Sequence, residues 1–148
     1  HLRGLFGVDL VHNERGLWTI EINPRYTASV EVLDRGLQIA AVGLHVAACR
    51  DGKLPDDVSG FTGRKYGKAV IYARSEHEIG KPIAETLLRF AQADPPTAAD
   101  VPPEGALISA GWPIATILAD GADEREVENR LRRRAESLRA DWPDCAGC

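Results

Sequence analysis

Apolar and polar residues alternate near the beginning of the chain in a pattern that predicts a β-hairpin. Two apolar-rich runs, residues 5–11 and 17–22, flank a polar turn. A three-residue loop formed by Glu14, Arg15 and Gly16 is a favoured connection, because Gly16 accepts the positive φ that such a loop needs. This loop sets a register in which opposed residues have numbers that sum to 30.

The predicted register brings polar residues together on one face of the hairpin. Asp9 lies directly across from Glu21, and Gly7 lies across from Asn23. Because side chains alternate between the two faces of a strand, Glu21 and Asn23 point to the same side. The same register predicts three further pairs, of which the last two are expected to enter the core: Val11 with Thr19, Val8 with Ile22, and Leu10 with Ile20.

Downstream of the hairpin, apolar residues recur at steps of three and four. This period predicts one amphipathic helix over residues 30–50. Ser29 is its expected N-cap and Gly52 its expected stop. The segment 53–65 is rich in glycine, proline and aspartate, which predicts a connection between two parts of the chain.

Two domains are therefore expected, residues 1–58 and residues 59–148. The second combines strands and helices in an α+β arrangement: a strand at 66–73, a short helix or an extended edge at 85–92, strands near Ile108 and at 114–118, and a charged helix at 122–140. Prolines predict irregular structure over residues 93–104. The last helix is expected to turn four residues inward, namely Val127, Leu131, Ala135 and Leu138.

The composition is that of an ordinary soluble globular protein, with 44% hydrophobic and 27% charged residues. A formal net charge of −4 argues against a nucleic-acid partner, which would call for a basic surface. No apolar run approaches the ~18 residues of a membrane span, so we expect no membrane partner and a cytoplasmic location. Cys145 and Cys148 form a C-x-x-C pair without a second pair, which predicts a tail rather than a metal site.

The opposed carboxylates on the hairpin are the strongest sign of chemistry in the sequence. Two like charges directly across a strand pair repel each other, so Asp9 and Glu21 call for a cation between them. Two carboxylates and the amide oxygen of Asn23 are hard ligands that suit Mg²⁺ or Mn²⁺. Gly7, beside them, is expected to leave the face open for the approach of a phosphate.

A structural alternative needs no metal. Acidic residues that alternate with aliphatic residues are common on half-exposed hairpins. In that case Asp9 and Glu21 are ordinary surface charges, and each should be replaceable at little cost.

The hairpin resembles the metal-binding hairpin of the ATP-grasp superfamily. The likeness rests on the run Gly7-Val8-Asp9-Leu10-Val11, followed by Glu21-Ile22-Asn23-Pro24-Arg25. The superfamily includes D-alanine–D-alanine ligase, biotin carboxylase and carboxylate–amine ligases. The chain is also similar to grasp proteins linked to tetrahydromethanopterin one-carbon metabolism and, more distantly, to tyramine–glutamate ligases.

The resemblance implies a fold. Residues 1–58 would be the C-terminal part of an ATP-grasp domain, an antiparallel hairpin followed by a helix. Residues 59–148 would be a small β-rich α+β cap with a C-terminal helix. The lysines and the glycine-rich loop that hold ATP in this family precede the hairpin, so we expect a fragment that lacks catalysis by itself.

The resemblance also implies roles for particular residues. Asp9, Glu21 and Asn23 would hold Mg²⁺ against ATP, with Glu21 and Asn23 serving cofactor binding, and Arg25 would be catalytic. The implied reaction is an ATP- and Mg-dependent ligation, in which a small-molecule carboxylate and an amine are joined through an acyl-phosphate.

Several alternatives stay open. Arg25 has a structural alternative in an ion pair with Glu31 or Asp34. Thr27 and Ser29 either donate to a substrate anion or cap the following helix. The chain itself has an alternative as a non-catalytic subunit-association or regulatory lobe, including a homo-oligomer.

Overall fold

The computed structural model describes residues 1–55, 61, 63–141 and 145–146, and the chain divides into two compact units, His1–Gly63 and Arg64–Cys148. The first unit contains the predicted hairpin and two helices. Among its described residues, the second contains a four-stranded sheet, a separate two-stranded sheet and two further helices. Cys148, one half of the C-x-x-C pair, lies outside the described residues.

The hairpin consists of β1 (Gly7–Asn13) and β2 (Gly16–Asn23). Asn13 pairs with Gly16, so the connection has two residues rather than the three that were predicted. The side-chain oxygen of Asn13 accepts a hydrogen bond from the backbone N–H of Arg15 at 2.8 Å, an Asx-type turn that closes the loop. Gly16 has φ +127°, as the glycine of the turn was expected to have a positive φ.

An irregularity between Asp9 and Leu10 restores the register that the shorter turn would have shifted. Near the turn, Leu10 lies across from Thr19 and Val11 across from Trp18. The predicted pairs of Leu10 with Ile20 and of Val11 with Thr19 are therefore wrong. A β-bulge inserts one extra residue into one of two paired strands. On the side of the bulge that is remote from the turn, the numbers of opposed residues again sum to 30.

The apolar side chains of the hairpin are exposed, and the prediction that two pairs enter a core is wrong. Val8 pairs with Ile22 as expected, yet these side chains are 42% and 49% exposed. Leu10 and Ile20 are 47% and 65% exposed. Among the described residues, nothing in this unit covers either face of the hairpin fully.

The predicted single helix is two helices, α1 (Ala28–Leu37) and α2 (Ala41–Asp51), bent by 103° at the break. Gln38 adopts a left-handed conformation that ends α1. The carboxylate of Asp34 then accepts the backbone N–H of Ala41 at 2.9 Å, which starts α2. The N-cap of α1 is Thr27 and not Ser29, whereas Gly52 ends α2 with φ +67° as predicted.

Within the described residues, no single helix is long and apolar enough to cross a membrane, although α1 and α2 taken together meet the same test of length and composition.

The second unit is built on a sheet with the strand order β5-β7-β3-β8. Its strands are β3 (Lys65–Ala73), β5 (Ala98–Ala99), β7 (Pro113–Gly121) and β8 (Cys145–Ala146). A separate pair consists of β4 (His77–Glu78) and β6 (Leu107–Ile108). The predicted strands at 66–73 and 114–118 form the central antiparallel pair of this sheet.

Two helices pack on that sheet. α3 (Lys81–Ala91) shows that the ambiguous segment 85–92 is helical, and α4 (Glu124–Asp141) corresponds to the predicted charged helix. The core contains Ile71 and Ile117 from the sheet and Leu87 from α3. The inward face of α4 is as predicted, with buried Val127, Ala135 and Leu138 and with Leu131 against the core.

Candidate functional site

The site predicted on the hairpin lies at the end of β1 and β2 that is remote from the turn. Asp9 is the direct partner of Glu21, and Gly7 is the direct partner of Asn23. Both carboxylates are exposed to solvent. The side-chain carboxylate of Glu21 makes no hydrogen bond or ion pair with the part of the chain that the structure describes, so its charge is available to a ligand.

Asn23 occupies the centre of the site and is only 8% exposed, which makes it one of few buried polar residues in the described structure. Its side-chain nitrogen Nδ2 donates to Oδ2 of Asp9 at 3.4 Å. Its side-chain oxygen Oδ1 accepts from Nη2 of Arg25 at 3.2 Å. Asn23 therefore joins the acidic pair to the arginine through a single amide.

Arg25 folds back over the turn that follows β2. Its backbone N–H donates to the carbonyl of Asn23 at 2.8 Å, and its Nη1 donates to the carbonyl of Tyr26 at 3.3 Å. The acidic residues proposed as structural partners for it are engaged elsewhere: Glu31 pairs with Arg35 at 3.7 Å, and Asp34 accepts from Ala41. Its guanidinium is thus held by neutral acceptors at the edge of the site.

Gly7 does not leave an open face, contrary to the prediction. A Cβ at this position would lie 2.6 Å from Cγ2 of Thr27 and 3.3 Å from its Oγ1. The space beside the glycine is therefore filled by the residue that precedes α1. Thr27 in turn places its hydroxyl 3.0 Å from that of Ser29, and it makes no side-chain hydrogen bond to the backbone of the helix.

Tyr26 lies between the arginine and α1. Partial burial raises the pKa of the Tyr26 hydroxyl, and the negative charges of Asp34 and Glu31 raise it further against the opposing effect of Arg35. These effects favour the neutral hydroxyl of Tyr26 over the phenolate.

The donor set fits a hard divalent cation. Two carboxylates and one amide oxygen supply only oxygen ligands, the chemistry that Mg²⁺ and Mn²⁺ prefer over softer alternatives. The described residues contain no group of three or more histidine, cysteine, aspartate or glutamate residues that could hold a metal, and the hairpin offers two carboxylates and one amide. A cation held by these three residues would keep its remaining coordination positions for solvent or a phosphate, which is usual for Mg²⁺.

The sequence predicted that Asp9, Glu21 and Asn23 lie together, as they do, but it did not predict two of the contacts around them. Gly7 and Thr27 are 20 residues apart in the sequence, and no local sequence pattern predicts their contact. The hydrogen bond between Asn23 and Arg25 has a sequence signal, because residues two apart on an extended chain direct their side chains to the same side.

A comparison with known protein families supports the resemblance that the hairpin showed to ATP-grasp proteins. The family model for the ATP-grasp domain matches residues 1–29, a stretch that contains Asp9, Glu21, Asn23 and Arg25. No curated protein sequence matches the chain. These 29 matched residues are the part of the chain where the site lies.

One solved structure is similar to most of the chain. It is an N5-carboxyaminoimidazole synthase from Aspergillus clavatus, solved in complex with ADP and 5-aminoimidazole ribonucleotide. The TM-score is 0.57 at 17% sequence identity, over 91% of this chain and 35% of that one. The chain thus spans about a third of that protein. The two comparisons confirm the resemblance to the ATP-grasp superfamily and the mixed α+β fold.

Proposed function

We propose that the chain supplies the metal-binding hairpin of an ATP-dependent ligase of the ATP-grasp type, which joins a carboxylate to an amine through an acyl-phosphate. The observation that carries this proposal is the opposition of Asp9 and Glu21 with the buried amide of Asn23 beside them. A repulsive pair of carboxylates is costly in a strand pair unless a cation joins it. The family match over residues 1–29 supports the same reading.

Asp9, Glu21 and Asn23 would hold the cation. When bound, Mg²⁺ supplies neutralisation of the negative charge on the phosphates of ATP during phosphoryl transfer. The contribution of the hairpin is rigidity, because strands paired by backbone hydrogen bonds fix the spacing of the two carboxylates before any ligand arrives.

Arg25 is the proposed catalytic residue. It is exposed and lies directly after the strand that carries Glu21 and Asn23. A guanidinium presents parallel N–H donors that match the two oxygens of a carboxylate or a phosphate. From this position it would stabilise the charge that develops as the acyl-phosphate forms and as phosphate leaves.

The chain spans 35% of the similar structure. We expect the 148 residues to bind a divalent cation. The carboxylate and the amine that react are small molecules in this proposal, and the hairpin does not select between them.

A second candidate function is a non-catalytic association lobe. The observation that favours it is the exposure of apolar side chains on the hairpin, including Trp18 at 55% and Ile20 at 65%. A contiguous apolar surface of this kind usually marks an interface. A purely associative lobe, however, gives no reason for two unneutralised carboxylates to face each other at Asp9 and Glu21.

Binding of Mn²⁺ distinguishes the two candidates. Electron paramagnetic resonance of free Mn²⁺ would be followed during titration with the wild-type chain, with Glu21→Gln and with the matched control Glu14→Gln in the hairpin turn. We expect binding by the wild type and the control, and a loss of at least about tenfold in affinity for Glu21→Gln, equivalent to ~1.4 kcal/mol. Equal binding by all three proteins would remove the metal site and leave the associative function.

A further inference from the structure

The side-chain amide of Asn23 faces the site with the wrong atom for a cation. Its nitrogen is turned to Asp9, and its oxygen is turned to Arg25. An ionised carboxylate only accepts hydrogen bonds, and a guanidinium only donates them. These two neighbours therefore fix the orientation of the amide: rotated by half a turn, it would set its oxygen against a carboxylate and its N–H groups against a cation.

A metal bound by Asp9 and Glu21 reverses both preferences. The cation needs the amide oxygen, because nitrogen of an amide carries no lone pair for coordination. The carboxylate of Asp9, once it is directed to the cation, is a weaker acceptor for the amide nitrogen. The orientation of Asn23 that suits the metal-free site is thus the one that suits the loaded site least.

We propose that Asn23 is a positioning residue that restrains Arg25 in the metal-free protein and releases it when the cation binds. The inference rests on the proposed function, and it deepens the role of Asn23 from ligand to switch. Rotation of the amide turns its oxygen to the metal and its N–H groups to Arg25. Two donors then face each other, so the guanidinium leaves Asn23.

The surroundings of the amide make such a switch two-state rather than gradual. Asn23 is 8% exposed, so water does not easily replace the partner that the amide loses. A buried amide oxygen left without a partner costs free energy, and in each orientation this oxygen has one, Arg25 without the cation and the cation when it is bound. Arg25 is exposed, and after its release it keeps the backbone position from which it reaches a substrate anion.

Side-chain NMR of the ¹⁵N-labelled chain tests the proposed switch directly, and it requires no measurement of enzymatic activity. Mg²⁺ is titrated while the Nδ2–H₂ resonances of Asn23 and the Nε–H resonance of Arg25 are followed. We expect both to move with one midpoint, and we expect the exchange of the Arg25 Nε–H with water to accelerate about threefold or more. Glu21→Gln is the control in which neither resonance responds.

Asn23→Asp separates the switch from mere proximity to a charge. A carboxylate has two equivalent oxygens, so it serves Arg25 and the metal without rotating. In this variant we expect Mg²⁺ to bind at least as well as in the wild type, with no acceleration of exchange at Arg25. Acceleration equal to that of the wild type would overturn the proposal.

The outcomes also separate this inference from the function on which it rests. If Mn²⁺ binds at Asp9 and Glu21 while the resonances of Asn23 and Arg25 stay in place under Mg²⁺, the metal site stands and the switch is overturned. If neither cation binds the wild-type chain, both the proposed function and the proposed switch are wrong.

Discussion

Gly7 and Thr27 are in such close contact that a single methyl group at Gly7 would lie 2.6 Å from Cγ2 of Thr27. This contact joins the end of the hairpin that carries Asp9 and Glu21 to Thr27, the N-cap residue of α1. It also explains why a glycine lies across from Asn23, since any larger residue would push the first turn of the helix away from the site.

Gly7→Ala should therefore destabilise the chain, by ~1–3 kcal/mol, as overpacking usually does. Thr27→Ser removes Cγ2 and keeps the hydroxyl, so in that background the cost of Gly7→Ala should fall by about half or more. Urea denaturation of the four proteins of this cycle measures the coupling. Additive costs would show that the two side chains do not compete for the same space.

Glu21→Gln is predicted to have opposite effects with and without a cation. In the absence of divalent metal it removes the repulsion from Asp9, and the chain should be more stable by a few tenths to about 1 kcal/mol. Mg²⁺ at ten times its dissociation constant should stabilise the wild type by about 1.4 kcal/mol and leave the variant unchanged. Urea denaturation in EDTA and in Mg²⁺ provides both numbers, and Glu14→Gln should follow the wild type throughout.

The beginning of α4 gives a prediction about pH. The backbone N–H of Ala122 donates to Glu126 at 2.7 Å, and this bond, together with Arg130, lowers the pKa of the Glu126 carboxyl below its ordinary 4.5. A lowered native pKa contributes stability above the unfolded value, and this contribution is lost as the pH falls through the native value.

Glu126→Gln should accordingly be less stable than the wild type near neutral pH, with the difference disappearing in acid below pH 4.5. Chemical denaturation as a function of pH measures the difference. Glu136→Gln, further along the same helix, is the matched control for the loss of one carboxylate from α4. A difference that persists unchanged in acid would mean that the ionised carboxylate of Glu126 is not its source.

Thr116 and Asp100 offer a test of asymmetry within one hydrogen bond. The hydroxyl of Thr116, which is 4% exposed, donates to Oδ2 of Asp100 at 2.8 Å, and Asp100 has φ +55° at the exposed end of the bond. Thr116→Val removes the buried partner and should cost about 0.5–1.5 kcal/mol. Asp100→Ala leaves the buried hydroxyl unsatisfied and also places alanine in a left-handed conformation, so about 1–3 kcal/mol is expected. Thermal unfolding that ranks the two in the reverse order would contradict this account.

The opposition of Asp9 and Glu21 was predictable, but for a reason that was partly wrong. The sequence pattern indicated a three-residue loop and regular strands, whereas the protein has a two-residue loop and an irregularity beside Leu10. The two deviations change the register by one residue in opposite directions. Neither is encoded by the alternation of apolar residues, because turn closure by Asn13 and bulge formation depend on local hydrogen bonds.

The period of apolar residues predicted the buried face of α4 but not the break between α1 and α2. The inward face of α4 was correct because one helix packs on one sheet, and its buried residues therefore keep a single period. Residues 30–50 keep a similar period across a bend of 103°, because each of the two helices is short and the apolar pattern continues through the break. The left-handed conformation of Gln38 and the interaction of Asp34 with α2 create that break, and neither leaves a periodic signal.

The exposed hairpin marks the limit of reasoning from one chain. Alternation predicted that Val8 and Ile22 would be buried, and in this chain they are about half exposed. The pattern identifies a face that favours burial, and the described part of this chain leaves that face about half exposed.

The bulge has a consequence for how such sites are recognised in other sequences. In this hairpin the strand β2 accommodates an additional residue between Thr19 and Glu21, and Asp9 still meets Glu21. The number of residues that separates two opposed carboxylates on paired strands is therefore not a fixed property of the geometry. A search that allows this interval to vary by one, while it keeps the Glu-x-Asn spacing of Glu21 and Asn23 constant, will detect hairpins that a rigid motif overlooks.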